Sequence, residues 1–212
     1  MARQVAHEIK NPLTPIKLQI QRLMMLRARG DASWGERFDA MAPVILESID
    51  TLTDTANEFS TFAKLYSEEP VTIDLDKLIG EQISLFDGKG DVEFQYFGLQ
   101  GAVIEGPKPQ ITRVIVNLIT NAVQAEASKI YVSLRLSGRD GFYDIVVEDN
   151  GPGVKDENRA RLFTPNFTTK SSGSGLGLAI CKSILERCGG EISYSRSFTL
   201  GGACFTVKLP KK

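Results

Sequence analysis

Histidine is nearly missing from this chain: among 212 residues only His7 carries an imidazole, so any chemistry that needs one must use it. Cysteine is also scarce. Cys181, Cys188 and Cys204 are odd in number and show no Cys-x-x-Cys spacing, which excludes a fully paired disulfide framework. A reduced, cytosolic compartment and a role as small buried apolar side chains are expected for them. Neither sign of charge dominates. A net charge of −1 gives no general attraction to nucleic acid or to an anionic bilayer, so neither nucleic acid nor direct membrane contact is expected. No apolar run approaches the ~20 residues of a membrane span, and no signal peptide follows Met1. Internal repeats, low-complexity stretches and a Gly-x₄-Gly-Lys-Ser/Thr phosphate loop are all absent. Met1 lies only six residues before His7. We therefore expect a cytoplasmic portion of a longer parent, anchored in the inner membrane and carrying its sensory parts upstream.

What is present divides into two textures, within a length that allows one or two domains with a real core. The first third has helical spacing. Ile9, Leu13, Ile16, Ile20 and Leu23 step by four and three, a heptad seam. A break follows at residues 29–33, with Gly30 as a helix stop. Ile45, Ile49, Leu52, Ala56, Phe59, Ala63 and Tyr66 then alternate the same steps. Two antiparallel helices would leave a wide apolar stripe, and a second copy would cover it by closing a four-helix bundle. Residues 1–68 are thus expected to form a dimerising hairpin, ended by Glu68-Glu69-Pro70.

Residues 71–212 are expected to form a separate α+β domain. Helices are predicted over 75–86, 110–126 and 176–188, the last closed by Gly189-Gly190. Strands are predicted over 92–97, 130–136, 143–148, 191–196 and 203–209, with 138–141 as a hairpin connection.

Three strings in this domain have chemical content. Asn117 and Asn121 are spaced i, i+4 and share a helix face. An amide oxygen there suits Mg²⁺, a hard cation that keeps waters and shares phosphate oxygens; a solvated asparagine pair has the same spacing. Asp149-Asn150-Gly151-Pro152-Gly153 ends a predicted strand. A carboxylate there can accept a hydrogen bond from the exocyclic amine of adenine, and Gly151 and Gly153 permit close backbone approach; an ordinary Asn-Gly turn reads the same. Gly173, Gly175, Leu176 and Gly177 lead into a helix whose N-terminal amides and dipole form an anion site. A flexible linker or helix cap would also be glycine-rich.

The order of these strings within an α+β pattern resembles the ATP-binding fold shared by histidine kinases, type II topoisomerases, ninety-kilodalton heat-shock chaperones and mismatch-repair clamps. The resemblance covers about residues 70–210 and implies an α/β sandwich that binds ATP. It also implies that Asn117 and Asn121 form the metal box, with Asn121 as the Mg²⁺ ligand, that Asp149 holds adenine, and that Gly173 to Gly177 end a mobile lid at the phosphates. Residues 162–170 look like the phenylalanine-containing lid of histidine kinases, which makes Lys170 a point charge for the β- and γ-phosphates; a solvated surface lysine is the alternative. Asn166 departs from the aromatic usual at its place, so a looser hinge is expected there.

His7-Glu8-Ile9-Lys10-Asn11-Pro12-Leu13-Thr14-Pro15 resembles the nitrogen-regulation branch of sensor histidine kinases. If residues 2–28 form one helix, His7, Asn11 and Thr14 share a face distinct from the apolar seam. Glu8 can then act as general base while the other imidazole nitrogen attacks a phosphoryl group. The resemblance implies that Asn11 positions a water for dephosphorylating the partner regulator. Local rules compete with this, since Asn11-Pro12 and Thr14-Pro15 both read as helix starts. The resemblance favours one continuous, bent helix. The expectation is therefore an ATP- and Mg²⁺-dependent protein-histidine kinase core: a homodimer that phosphorylates His7 and passes the group to an aspartate of a response regulator receiver domain. The rivals are an ATP-gated conformational clamp and a non-catalytic scaffold of the same fold.

Overall fold

The computed structural model describes residues 2–64, 69–86, 92–165, 167–170 and 175–212, with the side chains of 2–11, 51 and 54–64 excepted. The chain divides into two compact units. One is Met1–Tyr66 with Lys170–Ser174; the other is Ser67–Thr169 with Gly175–Lys212.

The first unit contains helices α1 (Ala2–Ala28) and α2 (Trp34–Lys64), which pack on each other. Helix α1 runs uninterrupted through Pro12 and Pro15, so the local start signals at Asn11 and Thr14 are overridden. Each proline removes one backbone donor from the ladder, and a helix of 27 residues has enough other bonds to persist. Gly30 ends it as expected. It takes φ +65°, while Gly30 N donates to Arg27 O at 3.1 Å and Asp31 N to Leu26 O at 3.1 Å, a left-handed stop that glycine tolerates. Asp31 then accepts bonds from Ser33 N (2.9 Å) and Ser33 Oγ (2.7 Å) at the start of α2. The heptad seam is only half covered. Ile16 and Leu23 are 9% and 7% exposed, whereas Leu13 and Ile20 are 44% and 43% exposed, because one partner helix can shield only one side of the seam.

The second unit is α+β. Strands β1 (Val71–Asp74) and β3 (Val103–Gly106) form an antiparallel pair. Strands β2 (Glu93–Phe97), β4 (Lys129–Leu136), β5 (Phe142–Asp149), β6 (Glu191–Arg196) and β7 (Ala203–Pro210) form a mixed sheet in the order β2-β4-β5-β7-β6. Only β2 and β4 pair in parallel; the other neighbours are antiparallel. Helices α3 (Leu75–Ser84), α4 (Lys108–Gln124) and α6 (Gly177–Arg187) contribute buried aliphatic residues to the core. Alternation of period two sends Ile130, Val132, Ile145, Val147, Phe205 and Val207 into that core as well. Helix α5 (Asp156–Arg159) is a single turn.

Spacing did not predict β1, β3 or α5, each only four residues long and too short for a period to register. Cys181 is buried as expected, with its thiol pushed up to about 12 by burial, but Cys188 and Cys204 are only half-buried. Among the described residues no helix is long and apolar enough to cross a membrane.

Candidate functional site

Asp149 ends β5, the central strand, and is only 3% exposed. Its Oδ1 accepts hydrogen bonds from Gly151 N at 2.9 Å and Ala203 N at 3.0 Å. Burial pushes its carboxyl above the usual carboxylate range, against the opposing pull of these two amides. Both donors reach the same oxygen, so among the described residues no hydrogen bond engages Oδ2. A buried carboxylate oxygen left in this way suits an incoming N–H donor.

The turn after Asp149 is pinned on several sides. Asn150 Oδ1 accepts from Ser128 N and Lys129 N, both at 2.9 Å, and Asn150 Nδ2 donates to Ser128 Oγ at 2.9 Å. This ties the turn to the α4–β4 corner. A Cβ at Gly151 would lie 3.0 Å from Ala125 O, and Gly153 adopts φ +70°, so both positions need glycine for the reasons expected. The third pin comes from Gly202, whose amide donates to Asp149 O at 3.1 Å. A Cβ at Gly202 would collide with both the carbonyl and the carboxylate of Asp149. Reasoning from sequence missed Gly202 and Asn150. The Gly201-Gly202 doublet ahead of the last strand was the one available signal.

Asn117 and Asn121 project from one face of α4, and Asn121 Nδ2 donates to Asn117 Oδ1 at 3.0 Å. That bond turns the Asn121 amide oxygen away from Asn117, the orientation an oxygen-seeking cation needs. Helix α6 starts directly against this pair. A Cβ at Gly177 would come within 2.5 Å of Asn117 Nδ2 and 2.9 Å of Asn117 Oδ1. Leu176, 7% exposed, is the N-cap residue, and no side chain caps the helix, so its first amides have no intrahelical partner. Gly175 takes φ +68°. Among the described residues no group of three or more His, Cys, Asp or Glu could hold a metal ion. A cation here would depend on amide and phosphate oxygens, and the Asn117–Asn121 donor set fits Mg²⁺ in that mode.

The second unit therefore brings together Asn117, Asn121, Asp149, Gly151, Gly153, Gly175, Leu176 and Gly177. It does not hold Lys170, which groups with Met1–Tyr66 and is half-buried, with burial lowering its ammonium pKa. Gly173 and Asn166 lie outside the described residues. His7, Glu8 and Asn11 fall on the α1 backbone, and their side chains likewise lie outside the described set.

Residues 106–212 match the family model for the histidine kinase-, DNA gyrase B-, and HSP90-like ATPase. The chain belongs to this ATPase family. Several similar proteins are named as sensor histidine kinases. Nitrogen regulation protein NtrY of Azorhizobium caulinodans is 34% identical over 99% of this chain and 28% of its own length. Sensor histidine kinase ZraS of Salmonella typhimurium is 32% identical over 99% of this chain and 45% of its own. The chain thus spans less than half the length of these relatives. Among solved structures, the catalytic domain of histidine kinase ThkA matches 68% of this chain and 96% of its own length, with TM-score 0.61 and 30% identity. ThkA in complex with response regulator protein TrrA matches the whole chain and 61% of its own, with TM-score 0.73 and 26% identity. The matched range contains the asparagine helix, the Asp149 turn and the glycine-opened helix. The sensor-kinase relatives cover the helical first unit as well.

Proposed function

We propose that this chain is the phosphotransfer core of a two-component sensor: it moves the γ-phosphoryl group of ATP to His7 and then to an aspartate on a response regulator receiver domain. The observation that carries the proposal is the convergence of the Asn117–Asn121 pair, the Gly177 helix start and the Asp149 turn within one compact unit. Asp149 Oδ2 accepts from the adenine amine, while Gly151 and Gly153 allow the ring and ribose to approach the backbone. The α6 N-terminus, with Gly173, Gly175, Leu176 and Gly177, receives the phosphates. Mg²⁺ held through Asn121, with Asn117 orienting that amide, supplies charge neutralisation at the phosphates when bound.

His7 attacks the γ-phosphorus as Glu8 takes the proton from its other ring nitrogen. One N–P bond forms, one P–O bond breaks, and ADP leaves. The receiver aspartate next attacks the phosphohistidine, freeing the imidazole. Asn11, one helical turn from His7, positions water for the later hydrolysis of the regulator's acyl phosphate. Apolar residues left exposed on the hairpin, among them Leu18, Met24 and Leu46 at 60%, 66% and 61%, support a homodimeric four-helix bundle in which this chemistry runs. The setting is the cytoplasm, as part of a longer protein anchored in the inner membrane.

The test is the chemistry of the product. With one histidine in the chain, label from γ-labelled ATP must be lost in mild acid, persist in alkali and be absent from His7→Gln, which still binds ATP. Label that resists acid, or that His7→Gln retains, refutes the proposal. On the same preparation, Asn11→Ala is expected to keep autophosphorylation and slow phosphate loss from the regulator.

A further inference from the structure

The Asp149 turn has an exit as well as an entry, and one side chain holds it. Tyr194 lies on the edge strand β6, opposite Phe205 of β7, with the two rings 5.4 Å apart. Its hydroxyl oxygen accepts a hydrogen bond from Val154 N at 3.0 Å. The residue before Val154 is Gly153, whose left-handed backbone a Cβ would carry to 3.6 Å from the same oxygen. The Tyr194 ring also receives the guanidinium of Arg159, 5.7 Å from its centroid. Arg159 is the last residue of α5 and pairs with Asp156, the first, at 2.8 Å. One tyrosine therefore touches both ends of the segment 154–159 that carries the chain from the adenine turn toward residues 162–170.

We propose that Tyr194 is a positioning residue for nucleotide: it fixes the exit of the 149–153 turn to the sheet and thereby holds Gly153 and Asp149 in place. The inference rests on the assignment of 149–153 to adenine. Asn150 and Gly202 hold the turn near its start, at the α4–β4 corner and at the β6–β7 connection. Tyr194 alone among the described residues gives Val154 N a side-chain acceptor. Phenylalanine at this place would keep the ring contacts with Phe205 and Arg159 and remove only that acceptor.

The experiment compares the wild-type chain with Tyr194→Phe. Binding of ATP with Mg²⁺, and of ADP, is measured by calorimetry, KM and kcat by autophosphorylation, and Val154 amide exchange by NMR. Losing one neutral hydrogen bond at the turn should weaken both nucleotides roughly five- to tenfold. KM for ATP should rise by the same factor, kcat should stay within about twofold of wild type, and Val154 should exchange faster. Unchanged nucleotide affinity, or a lower melting temperature without a KM change, makes Tyr194 a packing residue and overturns the inference. Rapid Val154 exchange in the wild type overturns it independently of how the variant folds. If the wild type binds no ATP, it is the adenine assignment that fails, and the inference falls with it.

Discussion

Replacing Asp149 with asparagine separates the two jobs of this carboxylate. Oδ1 accepts from Gly151 N and Ala203 N, and an asparagine carbonyl oxygen can keep both bonds. What changes is the other atom, where Nδ2 replaces Oδ2 and presents a donor to the adenine amine. A hydrogen bond to a charged group contributes ~1.5–3 kcal/mol, so ATP affinity should fall roughly 10- to 150-fold at ~1.4 kcal/mol per decade. The stability of the nucleotide-free protein should move the opposite way. Burial holds the Asp149 carboxyl pKa above its ordinary value of 3.8, so the folded state binds the proton more tightly than the unfolded chain. Stability from this group is therefore greatest when it is protonated, and it declines as pH rises from the ordinary carboxylate range through the raised value. Above that window the wild type bears the cost of a buried charge that Asp149→Asn lacks. The variant should melt higher at neutral pH, and its advantage should shrink on acidification through the window. Calorimetric titration with ATP, and with a purine triphosphate lacking the exocyclic amine, measures the first effect; melting scans across pH measure the second. Equal losses for the two nucleotides would refute the adenine contact, and a variant no more stable than wild type at neutral pH, or an advantage that does not shrink on acidification, would refute the electrostatic argument.

Asn121→Ala should abolish the Mg²⁺ dependence of ATP binding while leaving the circular dichroism of the helices unchanged; retained dependence in a titration with and without chelator would remove Asn121 from the metal site. Glu126, the residue after the Ala125 C-cap of α4, takes φ +56°, a conformation that costs a non-glycine residue roughly 1–2 kcal/mol. Glu126→Gly should therefore raise the unfolding free energy in urea by up to about 1 kcal/mol, and a loss of stability would show that the carboxylate has a compensating contact.

How much of the site was legible in the sequence depended on distance along the chain. The i, i+4 pair Asn117–Asn121 and the glycines at 151 and 153 state their constraints within a few residues, so spacing exposes them. Gly202 and Tyr194 serve a turn some forty to fifty residues earlier; the Gly201-Gly202 doublet is the one local sign of that service, and nothing beside Tyr194 marks it. Strong periodicity located the long elements, and β6 at 191–196 has the predicted bounds. The pair β1–β3 escaped because each strand owes its existence to the other: Ile73 pairs with Ile104 and both are buried, while neither segment alternates for long enough alone. On α1 the local signals at Pro12 and Pro15 pointed to a late start, and the continuous helix 2–28 was read from the family resemblance.

The clasp between Asp149 and residues 202–203 also sets an order of events during synthesis. The carboxylate is made early, but two of the amides that orient it arrive some fifty residues later, on the connection into the final strand. Domains emerge at about 5–20 residues per second, so for several seconds the growing chain carries the Asp149 motif without the backbone donors that shape it. Until β7 pairs with β5, Asp149 lacks the Gly202 and Ala203 amides that orient its carbonyl and carboxylate. If the turn binds nucleotide as proposed, the ligand rewards only a completed sheet, and its binding reports that the last strand has docked.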